Sequence, residues 1–370
     1  MPATTAAPMQ GEIGTLGAAL SVYTTAELVY FVRNLKLAQT FLLDSFFPNI
    51  VESDAPEVAI DVDVGKRRMA PFCSPLVEGK PVESRRWQTN LFKPAYIKDF
   101  RNPDLLKPVR RNIGERLMGA MSPQERLEAN LAWEMADQID MIQRRLEWMA
   151  AQALVNGSVT ITGEGFPEPI LVDFQRDSAL TIALSGSAQW GQTGIYPSDY
   201  LTSWAATMLQ KSGAAPTDII FTNSTWNAFK NDIKVLNAIW MDRSGDSSAN
   251  LGGAMKQGAI EMGRWGQFRL WLYNDWYVDP DTDEESPMIP DGTVIMTSPA
   301  LEGTRAFGLI FDPEFNYQSL AYAPKLWFSK NPAAINLLMQ SAPIVIPSRV
   351  NASFAATVMA AGSDVPAPGI

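Results

Sequence analysis

The 370-residue chain contains no histidine and a single cysteine, Cys73. The first absence removes the side chain most often used as a general base and as a metal ligand. The second excludes an intrachain disulfide framework and a cysteine-built zinc site, and it fits a reducing compartment. Positive charge is short as well: 30 Lys and Arg against 40 Asp and Glu leave a net charge of −10. A chain of that balance does not bind nucleic acid non-specifically over its whole surface. No Lys or Arg precedes Arg33, so the start lacks the basic region of a signal peptide. The longest late uncharged run, between Lys330 and Arg349, holds Pro332, Pro343 and Pro347 and is a poor membrane span. A soluble, non-secreted protein without a membrane partner is expected. Catalytic signatures are missing too. There is no nucleophile elbow, and no spacing singles out an acid–base pair among the carboxylates, so an enzyme is not expected. The Gly-rich pieces TGEGF and LGGAMKQG lack both the Gly-Lys-Ser/Thr ending and the dinucleotide spacing, so no cofactor is expected.

Hydrophobic residues make up 46% of the chain, enough for a sizeable core. Residues 1–20 are small, polar and Gly/Ala-rich. Thr24-Thr25-Ala26-Glu27 makes a capping box that starts a short helix near Thr25, and FLLDSFFPNI follows as a dense apolar anchor. EVAIDVDV, residues 57–64, alternates strictly and reads as a strand. A second extended region lies in residues 81–100. Pro71, Pro75, Pro81, Pro94, Pro103 and Pro108 argue against helices here and against a central strand. Such a two-stranded excursion cannot bury itself alone and needs a surface to lie on. Charge concentrates in the same region: residues 66–116 carry a local net of +8, leaving −18 for the rest. A solvated surface is the plain reading of that cluster. The functional one is a basic arm meeting an acidic neighbour, and an acidic cluster exists in DPDTDEESPMIPD, residues 279–291.

Ser122-Pro123-Gln124-Glu125 is the clearest helix start, with Ser at the N-cap, Pro at the first position and Glu three residues on. Leu127, Leu131, Met135, Ile139, Ile142, Leu146 and Met149 follow at spacings of three and four. The pattern continues to about Val155, roughly thirty residues or about 45 Å of helix. It stops at Asn156-Gly157, and SVTIT and ILVDF then form a β-hairpin. From about Tyr196 the texture becomes that of a compact α+β domain. PSDYLTSWAATMLQKSG reads as helix. PTDIIFTNSTWNAFKNDIKVLNAI reads as strand, N-cap at Asn223 or Ser224, then helix. FRLWLYNDWYV, GTVIMTSP and RAFGLIFD read as strands. MQSAPIVIPSRVNASFAATVMA reads as one long apolar strand returning to the spine helix, and VPAPGI as a tail. Asp279, Asp281 and Asp283 begin like a calcium loop. The sixth position is Glu284 rather than Gly and the twelfth Pro290 rather than Glu, so a solvated hairpin loop is expected. Trp204, Trp226, Trp240, Trp265, Trp271 and Trp276 crowd the α+β region, as core or as subunit contacts.

This order of elements resembles the major capsid protein of tailed bacteriophages, the Hong Kong 97-type fold. More specifically it is similar to the phage lambda major head protein family. The matching stretches are VYTTAELV, FLLDSFFP, SPLVEGKPVESRRWQTNLFKPAYIKD, TGEGFPEPILVDF, IPDGTVIM and MQSAPIVIPSRV, in order from about residue 22 to 350. The resemblance implies an α+β fold with an N-terminal arm (1–40) and an extended-loop region (41–110). A peripheral domain with spine helix and hairpin (111–195) follows, then an axial domain (196–329). Residues 330–370 supply the returning strand of the peripheral domain and the tail. It implies a structural protein that self-assembles into hexamers and pentamers of an icosahedral head enclosing double-stranded DNA. The chain would be made in the host bacterial cytoplasm and found in the virion. Separate scaffolding, decoration and portal proteins are the implied partners, with DNA enclosed rather than specifically bound. Lys66, Arg67, Arg68, Arg85 and Arg86 of the extended loop are expected to meet carboxylates of an adjacent subunit. A same-fold, encapsulin-like compartment enclosing protein cargo is the alternative.

Overall fold

In a computed structural model the described residues are 40–63, 69, 72, 75–76, 87–103, 122–163, 168–236, 255–256, 258–280, 282–331 and 333–360. The helix expected near Thr25 lies outside them. Two compact units are present. One takes Tyr96–Ile142 and Leu309–Ala342; the other takes Gln39–Ala95, Gln143–Gly308 and the chain from Pro343.

The larger unit begins with helix α1 (Phe41–Phe46), the anchor expected of FLLDSFFPNI, in which Phe41, Leu42, Leu43 and Phe46 are buried. Strand β1 (Asn49–Glu52) follows, and β2 (Val58–Asp63) pairs antiparallel with β3 (Trp87–Phe92) in a two-stranded ladder. The smaller unit contains β4 (Ile97–Arg101) and the first part of helix α2 (Pro123–Asn156), whose end belongs to the larger unit. The hydroxyl of Ser122 accepts from the Glu125 N–H at 3.3 Å, and the Glu125 carboxylate accepts from the Ser122 N–H at 2.6 Å. This reciprocal cap fixes the start of α2 where the sequence placed it. The 34 residues span about 51 Å. The apolar series from Leu127 to Met149 is buried throughout.

The far end of α2 is closed just as firmly. Gly157 sits at φ +69°, and its N–H donates to Ala153 O at 3.1 Å. That left-handed turn favours glycine. The Arg176 guanidinium donates to the last carbonyls, Leu154 O at 2.5 Å and Val155 O, and to Thr181 Oγ1 at 2.9 Å. The hairpin β5 (Ser158–Ile161) and β6 (Ile170–Asp173) then turns the chain back, and Phe174 N–H donates to Gly157 O.

The core of the larger unit is a seven-stranded mixed sheet. Its order is β7 (Thr181–Ala183), β19 (Ser353–Thr357), β14 (Thr293–Thr297), β8 (Asp218–Phe221), β11 (Phe268–Tyr273), β10 (Ala259–Trp265) and β9 (Met255–Lys256). Central strands β8 and β14 are buried at every position, as strands covered on both faces must be. Helices α3 (Pro197–Ser212) and α4 (Asn223–Lys230) cover one face, with Trp204 on Phe354 and Phe229 on Phe221 at ring separations of 5.1 and 5.0 Å. On the other face α1 brings Phe41 to Trp271 at 4.8 Å. Hairpin β12 (Trp276–Val278) and β13 (Glu285–Pro287) is closed by the acidic loop. A separate three-stranded sheet orders β1, β15 (Gly303–Phe307) and β18 (Pro343–Pro347).

The smaller unit is an antiparallel sheet of β16 (Ala323–Lys330), β17 (Ala333–Ser341) and β4. The first part of α2 packs Leu127 and Leu131 against Ile335 and Leu326. Arg101 of β4 donates to Glu134 at 3.1 Å and Asp137 at 2.6 Å, pinning helix to sheet.

Three local readings change. FRLWLYNDWYV, expected as one strand, is β11 and β12, interrupted at Asn274-Asp275 and paired in different sheets. The N-cap of α4 is Thr222, not Asn223 or Ser224, because Thr222 and Thr225 cap each other reciprocally. The long strand expected over residues 339–360 is three pieces in three sheets: the end of β17, then β18, then β19. Pro343 and Pro347 bound β18, and each lacks the N–H that an uninterrupted ladder requires. The last piece, β19, runs between β7 and β14 in the seven-stranded sheet.

Candidate assembly surface

The chain's described part enters the larger unit at α1. The first turn of α1 leaves N–H groups without helical partners. They find one on another element: Leu42 and Leu43 N–H donate to the two oxygens of Glu147 on α2, at 2.8 and 2.9 Å. The Tyr273 hydroxyl donates to the same carboxylate at 3.1 Å. Glu147 is 1% exposed. Burial raises its pKa from 4.5 to about 7, although the three hydrogen bonds pull the other way and nearby Asp275 adds to the rise. Burial, with the carboxylate beside it, also pushes the Tyr273 phenol well up. At the other end of α1, Arg305 donates to Phe47 O at 2.7 Å and to Asp44 at 2.7 Å. The segment is thus clamped at both ends. Gly303 lets β15 approach it: an added Cβ would lie 2.3 Å from Phe46 O.

Past β1, the β2–β3 ladder runs from Val58 paired with Phe92 to Asp63 paired with Trp87. The chain between Asp63 and Trp87 therefore leaves and re-enters at one point of the ladder. Lys66, Arg67, Arg68, Arg85 and Arg86 all belong to that stretch and lie outside the described residues. Of the stretch's apolar side chains, Met69, Phe72 and Leu76 are almost wholly exposed.

The acidic loop lies elsewhere on the same unit. Asp279 N–H donates to Glu284 O, Asp283 N–H to Asp279 O, and Asp283 adopts φ +58°, so the tip is a tight turn. Among the described residues no group of three or more Cys, Asp or Glu is arranged to hold a metal ion. No described helix is long and apolar enough to cross a membrane. The tryptophans divide: Trp204 and Trp271 are core, Trp226 and Trp265 are half-buried, and Trp276 is 48% exposed on β12. Trp240 lies outside the described residues. Sequence reasoning missed Glu147, although Gln143, Ala150, Ala151 and Leu154 share its buried side of α2. Small residues on one side of a long helix are the signal that another element packs there.

A long capped helix, a two-stranded excursion and an α+β unit together make the Hong Kong 97-type fold of phage capsids. A prophage protein from Escherichia coli CFT073, described as a capsid protein, superposes with a TM-score of 0.69 at 21% identity, covering 91% of this chain and 99% of that one. The chain belongs to the family of phage major capsid protein E, whose profile matches residues 24–358. It is 27% identical to the major capsid protein of Escherichia phage N15 and 26% identical to that of Escherichia phage lambda. Each alignment covers 88% of this chain and 96% of the relative.

Proposed function

We propose that many copies of this chain assemble as hexamers and pentamers into an icosahedral head that encloses double-stranded DNA. The observation that carries the reading is the β2–β3 excursion. It exposes Met69 and Phe72 almost completely, a surface that a solitary soluble subunit has no reason to maintain. In a shell a neighbouring copy supplies the cover. In this reading residues 1–40 are the N-terminal arm and 41–110 the extended-loop region. Residues 111–195 form the peripheral domain, 196–329 the axial domain, and 330–370 the returning strand of the peripheral domain and the tail. Lys66, Arg67, Arg68, Arg85 and Arg86 meet carboxylates of an adjacent subunit, setting register more than affinity. Obligate interfaces of this kind bury roughly 2,000–5,000 Å². A net charge of −10 suits a container for DNA, because a like-charged wall does not trap the packaged polymer. The role is structural rather than catalytic. Scaffolding, decoration and portal functions belong to separate proteins, and the chain is made in the host cytoplasm before it enters the virion.

The test is charge reversal in the loop. Arg85→Glu with Arg86→Glu should abolish or deform shells while leaving the circular dichroism of the isolated subunit unchanged. Normal shells from that variant would count against the assigned role of the basic loop.

A further inference from the structure

Strands β12 and β13 form a ladder that joins no larger sheet among the described residues. Its base is fixed: Met288 N–H donates to Asp275 O at 2.9 Å, and Met288 and Ile289 are buried. Strand alternation puts Trp276, Val278, Pro287 and Glu285 on one face, with Trp276 and Val278 48% and 52% exposed. Tyr277 and Ser286, on the other face, are half-buried. A firmly based hairpin thus holds an apolar face toward solvent, beside a tip whose sequence carries Asp279, Asp281, Asp283, Glu284 and Glu285. The chain contains a segment of the opposite character. Residues 66–86 carry Lys66, Arg67, Arg68, Lys80, Arg85 and Arg86 together with Met69 and Phe72. Met69 and Phe72 are almost wholly exposed.

We propose that the 276–287 hairpin of one copy is the docking surface for residues 66–86 of a neighbouring copy. Met69 and Phe72 pack on Trp276 and Val278, and the basic residues face the acidic tip. This rests on the shell reading above and names the surface that receives the loop. Apolar contact supplies the hold. The charges select register and make assembly salt-sensitive, because exposed pairs are screened.

The chain's lone cysteine, Cys73, follows Phe72 and provides a probe. Shells of the full-length Val278→Cys variant, treated with a short bismaleimide, should give a ladder of covalent multimers on a denaturing gel. Wild-type shells and shells of Val278→Cys with Cys73→Ser should give none. Shells of Val278→Cys that yield no multimers would overturn the docking while leaving the capsid reading intact. Independently, Glu284→Lys with Glu285→Lys should lose shells, and adding Arg85→Glu and Arg86→Glu should restore them. Normal shells from the lysine pair alone would also overturn it. If the wild type forms no shells under any condition, this docking and the shell reading fall together.

Discussion

Replacing Glu147 with glutamine should flatten the pH dependence with which the 40–47 segment is held. The carboxylate is 1% exposed, accepts from Leu42 N–H, Leu43 N–H and the Tyr273 hydroxyl, and feels the charge of Asp275. Burial raises its pKa from 4.5 to about 7 in the folded chain. Between those values the folded state keeps a proton that the unfolded state has released, so stability falls as pH rises. The contribution is fully present below pH 4.5 and lost as pH rises through about 7. At 1.36 kcal/mol per unit the change amounts to about 3 kcal/mol. Hydrogen–deuterium exchange at the Leu42 and Leu43 amides, corrected for intrinsic rates, reads it directly. Protection should decline from pH 5 to pH 8 in the wild type by roughly two orders of magnitude and change little in Glu147→Gln. A variant that keeps the wild-type slope would refute the assignment to Glu147. Glutamine retains one acceptor oxygen but turns an N–H₂ toward the helix, so a uniform loss of about 1–3 kcal/mol accompanies the flattened slope.

Three further outcomes follow from the geometry. Arg176→Ala removes the donors from Leu154 O and Val155 O and should cost about 2–3 kcal/mol in denaturant unfolding, with exchange increasing first at the end of α2 and in the β5–β6 hairpin. Gly303→Ala drives a methyl group into Phe46 O and the Phe47 ring and should cost about 1–3 kcal/mol, loosening α1 without disturbing the seven-stranded sheet. Ser122→Ala removes one half of the cap at the start of α2 and should cost about 1 kcal/mol by the same denaturation assay, whereas Ser122→Asp should cost much less.

What the sequence disclosed follows the range of the interactions involved. The start of α2 is written in four adjacent residues, and its stop in Asn156-Gly157, because a reciprocal cap and a left-handed turn are local events. The strand β2 is legible for the same reason, since alternation over 58–63 is a property of neighbours. The fate of residues 339–360 was not. Uniformly apolar sequence serves β17, β18 and β19 equally, and which sheet each joins is decided by partners far along the chain, such as Phe307 for Pro343 and Thr297 for Ser353. Thr222 was missed as a cap because three adjacent hydroxyl and amide residues compete and only the Thr222–Thr225 pairing separates them. Glu147 was hidden by type: a glutamate in a long helix reads as surface, and its partners lie 105 and 126 residues away. Of the proposed assembly surface, the basic loop was visible as charge. The hairpin was visible as a solvated acidic hairpin loop, but not its apolar face, since the side on which Trp276 and Val278 stand depends on the β12–β13 register.

The central claim is self-assembly into a closed shell, and electron microscopy of the chain, purified alone and with the neighbouring genes co-expressed, tests it most directly. The account predicts closed icosahedral particles, or rings of five and six subunits, with the β2–β3 excursion lying across an adjacent copy. A monodisperse monomer under every condition would contradict it.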